Sequence, residues 1–264
     1  MPDTERRGQA ERLERAVREA GTQALKIFGG PIKSWTKDKD SPVCEADIAA
    51  NELLHERLSG EGFGWLSEES VDDDRRLAAR RVWVIDPIDG TRAYLAGLPD
   101  WTVSAALVED GRPVAAAVYA PVAGEMFTAA AGGGAWCNGA AITATLGQSL
   151  DGARLSGPRS YLERLQAASP SIVATPRVRS LALRLTRVAQ GTVDAALATG
   201  NSHDWDLAAA DLLVHEAGGL LTTFAGHGLV YNRASPVHEP LVAAGLGRHG
   251  SLLGLVRQQQ FVVA

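Results

Sequence analysis

The run Arg81-Val82-Trp83-Val84-Ile85, passing directly into Asp86-Pro87-Ile88-Asp89-Gly90-Thr91, limits the fold more than any other part of the chain. Its β-branched and aromatic residues read as a buried strand. Asp86 stands at the end of that strand, where a side chain leaves the sheet for a cleft. Pro87 fixes the turn and has no N–H to give. Asp89 comes three residues after Asp86, so both carboxylates and an intervening carbonyl can reach one small volume. Gly90 permits close backbone approach, and Thr91 opens a short helix through Tyr94 and Leu95, whose first N–H groups suit a phosphate. Hard oxygen ligands beside such a seat are what magnesium requires. Asp, Pro, Gly and Thr are equally ordinary in turns and at helix starts, so a capped turn is the alternative reading here.

Around this turn the patterning predicts an α/β chain. Leu13, Val17, Ala20, Ala24 and Phe28 fall at helical spacing within 9–28, and Gly29-Gly30-Pro31 ends that helix. A polar loop over 37–42 precedes a helix over 47–58 and a short strand over 63–67 that ends at Glu68-Glu69. Strands over 102–109, 114–119 and 125–130, with turns between them, form an antiparallel meander. Beyond it, strands over 153–156, 171–174 and 193–198 alternate with helices over 161–168, 180–189 and 205–217. An antiparallel half followed by an alternating half predicts two lobes, 1–148 and 149–264, with a cleft between them.

Composition narrows the function. Acidic residues number 31 against 26 basic ones, a formal charge of −5, which argues against a general grip on nucleic acid or a membrane surface. A small phosphorylated substrate stays open, because metals or a few arginines supply local positive charge. No apolar run approaches the ~18 residues of a membrane span. The two cysteines, Cys44 and Cys137, and the lack of an apolar signal core predict a cytoplasmic location. Neither cysteine belongs to a zinc pattern.

Further acids stand out against apolar surroundings. Glu68 and Glu69 are adjacent, so they repel unless they diverge or a cation binds one of them. Asp206, next to Trp205, opens an otherwise apolar helix, and Asp47 opens another; each is also an ordinary helix-start residue.

These residues resemble the inositol monophosphatase-like, magnesium-dependent phosphomonoesterases. The first motif is Trp65-Leu66-Ser67-Glu68-Glu69 with Trp83 through Thr91; the second is Trp205-Asp206-Leu207-Ala208-Ala209-Ala210-Asp211 running on to Glu216-Ala217-Gly218-Gly219. The resemblance implies a layered α/β/α/β/α sandwich of the inositol monophosphatase and fructose-1,6-bisphosphatase type, with an antiparallel sheet lobe followed by a mixed one. It implies two or three Mg2+ ions: the first on Glu68, Asp86 and the Ile88 carbonyl, the second on Asp86, Asp89 and Asp206, and a weaker third on Glu68. Phosphate would sit on the amides of Gly90 and Thr91, while the Thr91 hydroxyl and Asp47 orient or deprotonate the attacking water. Lithium sensitivity and a homodimer are also implied.

Within that family the stretches 39–50 and 115–122 look closest to the 3′(2′),5′-bisphosphate nucleotidases. Cys44 stands where the family usually has threonine. Thr199 occupies the position, seven residues before Asp206, where inositol monophosphatases carry a sugar-binding glutamate. Arg184 stands where the nucleotidases carry a basic residue, able to pair with a second phosphate; a solvated helix arginine is the plain alternative. The expected reaction is therefore adenosine 3′,5′-bisphosphate to AMP and phosphate. Inositol 1-phosphate or histidinol phosphate is the alternative substrate, and a non-catalytic regulator of the same fold is the alternative class. His203 lies beside the expected site, whereas His215, His227 and His238 read as surface or loop residues.

Overall fold

The computed structural model of the chain describes residues 1–37, 41–72 and 74–259. Its first half runs α1 (Asp3–Ile27), β1 (Ser34–Lys37), β2 (Ser41–Cys44), α2 (Glu45–Leu58), β3 (Gly64–Ser67), β4 (Arg81–Asp89), α3 (Thr91–Leu95), β5 (Thr102–Glu109), β6 (Arg112–Ala120), β7 (Glu125–Ala130), β8 (Ala135–Cys137) and β9 (Ala140–Ile142). The second half runs β10 (Arg154–Ser156), α4 (Arg159–Ala168), β11 (Val173–Ala174), α5 (Leu181–Ala189), β12 (Ala195–Ala198), β13 (Ser202–His203), α6 (Asp204–Glu216), β14 (Gly219–Thr223), β15 (Val237–His238), β16 (Leu241–Gly245) and α7 (Leu246–Gln258).

Two sheets organise the chain. The first has seven strands in the order β3-β4-β5-β6-β7-β8-β9, and only the β3–β4 pair is parallel. The second has five strands in the order β11-β10-β12-β16-β14. It is mixed, because β10 runs parallel to β11 and β12 while β16 runs antiparallel to its neighbours.

Strand alternation distributes the core. On β4, Trp83 and Ile85 face α1 and α2 with Leu13, Val17 and Leu54, while Val82 and Val84 face α5 and α6. The second sheet presents Ala196 and Ala243 to those same two helices, and Leu155 and Leu197 to Leu165 of α4 and Leu252 of α7 on its far side. The order of layers is therefore helix, sheet, helix, sheet, helix. Residues Leu207 to Ala210 and Leu212 to Val214 of α6 are all buried, as a helix covered on both sides must be. Each such leucine contributes roughly 2 kcal/mol of transfer free energy.

Several elements depart from the sequence patterning. Helix α1 begins at Asp3, because charged residues continue the helix outward from the apolar stripe. The expected loop over 37–42 contains the ends of the β1–β2 hairpin, whose exposed first strand carries little apolar signal; residues 38–40 lie outside the described residues. The expected strand over 171–174 shrinks to Val173–Ala174, and the one over 193–198 begins at Ala195. The patterning reads no element past Gly219, yet β14, β16 and α7 complete the second sheet and its cover. No described helix is long and apolar enough to cross a membrane.

Candidate metal centre

Asp86 and Asp89 share one space because β4 carries an irregularity between them. In a regular strand, residues three apart point to opposite faces. Here Asp86 pairs with Ser104 and Asp89 with Thr102, so three steps on β4 match two on β5. One extra residue in a strand restores the second side chain to the face of the first. Pro87, which cannot donate to the ladder, sits within the irregularity. Asp86 thereby continues the face of Val82 and Val84, toward α5 and α6, whereas Ile88 joins the core on the other side.

The two helices supply the rest. Asp206 lies in the first turn of α6 as its third residue, and its Oδ2 accepts the His203 N–H at 2.6 Å. Helix capping and cluster membership are thus properties of one carboxylate. One ligand atom each from Asp86, Asp89 and Asp206 lies within 4.8 Å of the others. Asp89 is fixed by the start of α5: Ser180 Oγ and the Ala182 N–H each donate to its Oδ2 at 2.6 Å, and the Leu181 N–H to its Oδ1 at 3.2 Å. Gly90 follows at φ 95°, where a Cβ would come within 3.1 Å of the Asp100 carbonyl, so the chain needs glycine there.

Burial and like charges dominate the electrostatics of the cluster. Burial pushes the Asp86 carboxyl well above its ordinary range, and the like charges of Glu68, Asp89 and Asp206 push it further. Burial raises Asp206 in the same way, and it raises Asp89 against the pull of its α5 donors. Glu68, at the end of β3, is pushed up to about 7 by burial, with Lys37 opposing and Glu69, Asp47 and Asp89 reinforcing. Both Asp86 oxygens are buried without a hydrogen-bond partner among the described residues. A buried carboxylate left in that state is costly. A divalent cation coordinated by oxygen removes that cost, so the donor set fits a hard cation. Glu68 and Glu69 do diverge: Glu69 pairs with Lys37 in a short contact, while Glu68 lies toward the acids with the Lys37 ammonium 3.8 Å away.

Asp47 and Thr91 meet beside the cluster. Asp47 is the third residue of α2; its Oδ2 accepts from the Cys44 N–H and Sγ–H, both at 2.8 Å. The Cys44 thiol thus keeps a hydrogen bond to Asp47, and burial pushes its pKa up to about 12. The Thr91 hydroxyl lies 3.0 Å from both Asp47 Oδ1 and the Ile88 carbonyl oxygen. Burial raises Asp47 above its usual range.

Arg184 is not a solvated helix arginine. It is partly buried, and its Nε and Nη2 donate to the Val178 carbonyl and its Nη1 to that of Leu197. With Thr199 it lines a cavity of about 670 Å³ at the start of α5. His203 stacks on Trp205 with ring centres 4.5 Å apart. His238, expected as a surface or loop residue, is instead largely enclosed at the end of β15 and lies 2.7 Å from Asp204, a buried acid to which the motif gave no role. Sequence spacing held no signal for that pair, because the residues are 34 positions apart.

Layered sheets enclosing carboxylates from β4 and α6 that could hold a metal ion are the arrangement of a candidate metal-dependent site. The Inositol monophosphatase family model matches residues 8–260, and the chain belongs to that family of phosphatases. It is 40% identical over 228 residues to the Nus factor SuhB of Xylella fastidiosa, covering 81% of each chain. It is 31% identical over 227 residues to the inositol-1-monophosphatase of Mesorhizobium japonicum, covering 81% of this chain and 85% of that one. Among solved structures, the extragenic suppressor protein suhB of Bartonella henselae superposes with a TM-score of 0.82 at 27% identity, covering 95% and 98% of the two chains.

Proposed function

We propose that the protein is a magnesium-dependent phosphomonoesterase whose preferred substrate is a 3′(2′),5′-bisphosphate nucleotide. The metal reading rests on one observation above all: three carboxylates converge while both oxygens of the buried Asp86 lack a partner. Asp86, Asp89, Asp206, Glu68 and the Ile88 carbonyl would hold two or three magnesium ions. Bound magnesium would lower the pKa of water and offset the charge of the phosphate.

The chain's own groups divide the remaining work. Asp47, fixed by Cys44 and raised by burial, is placed to accept a proton. The Thr91 hydroxyl has one proton for two acceptors, Asp47 and the Ile88 carbonyl, and so holds the turn and the acceptor in register. The amides of Gly90 and Thr91 would receive the phosphate. The N-terminus of α6 adds positive dipole character to the place where phosphate charge accumulates.

The substrate reading rests on the cavity beside α5, where Thr199 offers no carboxylate to sugar hydroxyls and Arg184 contributes a cation. Purified protein with MgCl2 should release phosphate from adenosine 3′,5′-bisphosphate faster than from inositol 1-phosphate or histidinol phosphate. The reverse order would assign the inositol monophosphatase activity named for one relative. Lithium chloride should depress turnover. Other relatives bear the name Nus factor, and a binding role alone would be the conclusion if no phosphate ester is turned over.

A further inference from the structure

Helix α2 carries a polar stripe toward β3. Asp47, Asn51 and His55 follow one another by four residues, so their side chains lie along one side of the helix. Asp47 meets the Thr91 hydroxyl. His55 sets its ring nearly perpendicular to that of Trp65 on β3, with ring centres 4.8 Å apart. Asn51, between them, reaches the end of β3, where Glu68 and Glu69 begin. These two acids are the central residues of a turn that the Ser70 N–H closes on the Ser67 carbonyl at 3.4 Å.

Asn51 grips both corners of that turn. Its Oδ1 accepts from the Ser67 hydroxyl at 2.7 Å, and its Nδ2 donates to Ser70 Oγ at 3.1 Å. Each serine has a second partner that can only donate: the Glu69 N–H reaches Ser67 Oγ at 3.3 Å, and the Trp65 indole N–H reaches Ser70 Oγ at 3.1 Å. A side-chain amide supplies the acceptor and the donor that complete this set. The Glu68 carboxylate has little else to hold it. It accepts no hydrogen bond among the described residues, and Lys37, 3.8 Å away, is drawn into contact with Glu69. Its place comes from its backbone instead. The Glu68 N–H donates to the Ile85 carbonyl at 3.2 Å, which sets it beside Asp86, and its own carbonyl accepts from Lys37 Nζ at 3.1 Å.

We infer that Asn51 is a positioning residue of the metal site, which anchors the residues on either side of the acid pair so that Glu68, and not Glu69, is presented beside Asp86. This rests on the metal-dependent reading above and adds the residue that sorts the two adjacent acids. Because Asn51 stands one turn of α2 from Asp47, it also ties the Glu68 turn to the helix that carries the proton acceptor. A turn released from Asn51 leaves Glu68 open to the Lys37 ammonium, and a cation at the cluster then loses a ligand.

Calorimetric titration of the metal-free protein with MgCl2 tests this without substrate. Asn51→Leu, of the same branched shape, removes both bonds and should weaken Mg2+ binding about tenfold, within the range that outer bonds to metal ligands command. Asn51→Asp keeps both, since the Ser70 hydroxyl can turn to donate to the second carboxylate oxygen, and should bind Mg2+ at least as tightly as the parent. On the better of adenosine 3′,5′-bisphosphate and inositol 1-phosphate, Asn51→Leu should regain kcat to within about twofold at saturating MgCl2, with KM for the ester unchanged. General loss of packing would not give that split. Should Asn51→Leu fail to fold, Ser67→Ala removes one of the bonds and should weaken Mg2+ binding in the same direction. Mg2+ affinity equal to the parent's in folded Asn51→Leu, or in Ser67→Ala, would overturn the role of Asn51 and leave the metal site intact. Equal weakening by Asn51→Leu and Asn51→Asp would overturn it too, because the hydrogen bonds would then not be the cause. Absence of Mg2+ binding to the parent would overturn the metal reading itself, and the role of Asn51 with it.

Discussion

At the scale of single residues, Asp86 stands where its charge is costly. Its carboxylate is buried among like charges and has no donor among the described residues, so the metal-free fold bears a cost that removal of the charge relieves. Asp86→Asn should therefore melt higher than the parent in EDTA, by about 1 kcal/mol or more, and should lose any stabilisation by MgCl2. A lower melting point in EDTA would show that the carboxylate is not strained. Asp206→Asn should lose turnover yet keep the fold, since the amide oxygen can still accept the His203 N–H; activity equal to the parent would remove Asp206 from the metal site. Cys44 follows the opposite logic. With its thiol pushed up to about 12 and fully enclosed, it should resist alkylation at pH 8 until the protein unfolds, while the more accessible Cys137 reacts first. Mass spectrometry of the labelled peptides decides this. The motif acids were legible because their chemistry is out of place beside apolar strands and helices. The thiol bond to Asp47 was not, because threonine at that position would have read the same.

At the scale of elements, the start of α6 is tied across the molecule. Asp204 accepts from the Asn232 N–H and lies in contact with His238, both at 2.7 Å, and the Asn232 side chain exchanges hydrogen bonds with Arg76, which lies in the short 3-10 turn Arg75–Ala78 after β3. This strut connects the segment that follows Glu68 to the helix that carries Asp206. Asn232 has φ 58°, so Asn232→Gly removes the side-chain bonds without straining the backbone. Outer bonds that orient ligands govern metal affinity by about 10- to 100-fold. The variant should need about tenfold more MgCl2 for half-maximal activity, with thermal unfolding still cooperative; an unchanged requirement would show that the strut does not set the site. Further along α6, Tyr231 donates to Asp211 at 2.9 Å, and burial raises the Asp211 pKa to about 6. The unfolded chain releases that proton near pH 3.9. The folded state keeps it longer, so its stabilising contribution is complete below about pH 4 and is lost as pH rises through about 6. The stability of the parent relative to Asp211→Asn should fall across that window in denaturant titrations, and a flat difference would refute the assignment. None of these ties was legible in the sequence. They join residues remote along the chain through polar atoms, for which hydrophobic periodicity gives no sign.

For the whole molecule, the layered architecture was legible where burial imposes a pattern. The strands over 102–109 and 125–130 match β5 and β7 because both run through a meander with clear turns. The apolar string of α6 suits a helix enclosed between sheets. The β1–β2 hairpin escaped because its first strand is short and exposed, and the strand expected over 171–174 kept only two residues, since short exposed strands need no alternation to exist. The irregularity of β4 has a consequence for how tolerant the chain is to change. Each acid of the turn faces its partner only because one residue is surplus to the ladder. Deleting a single codon between Asp86 and Asp89 would restore an ideal strand and turn one carboxylate into the opposite layer. The convergence of the two acids therefore depends on a local miscount, and a strand made more regular by well-meant redesign would be a better scaffold without the shared cluster.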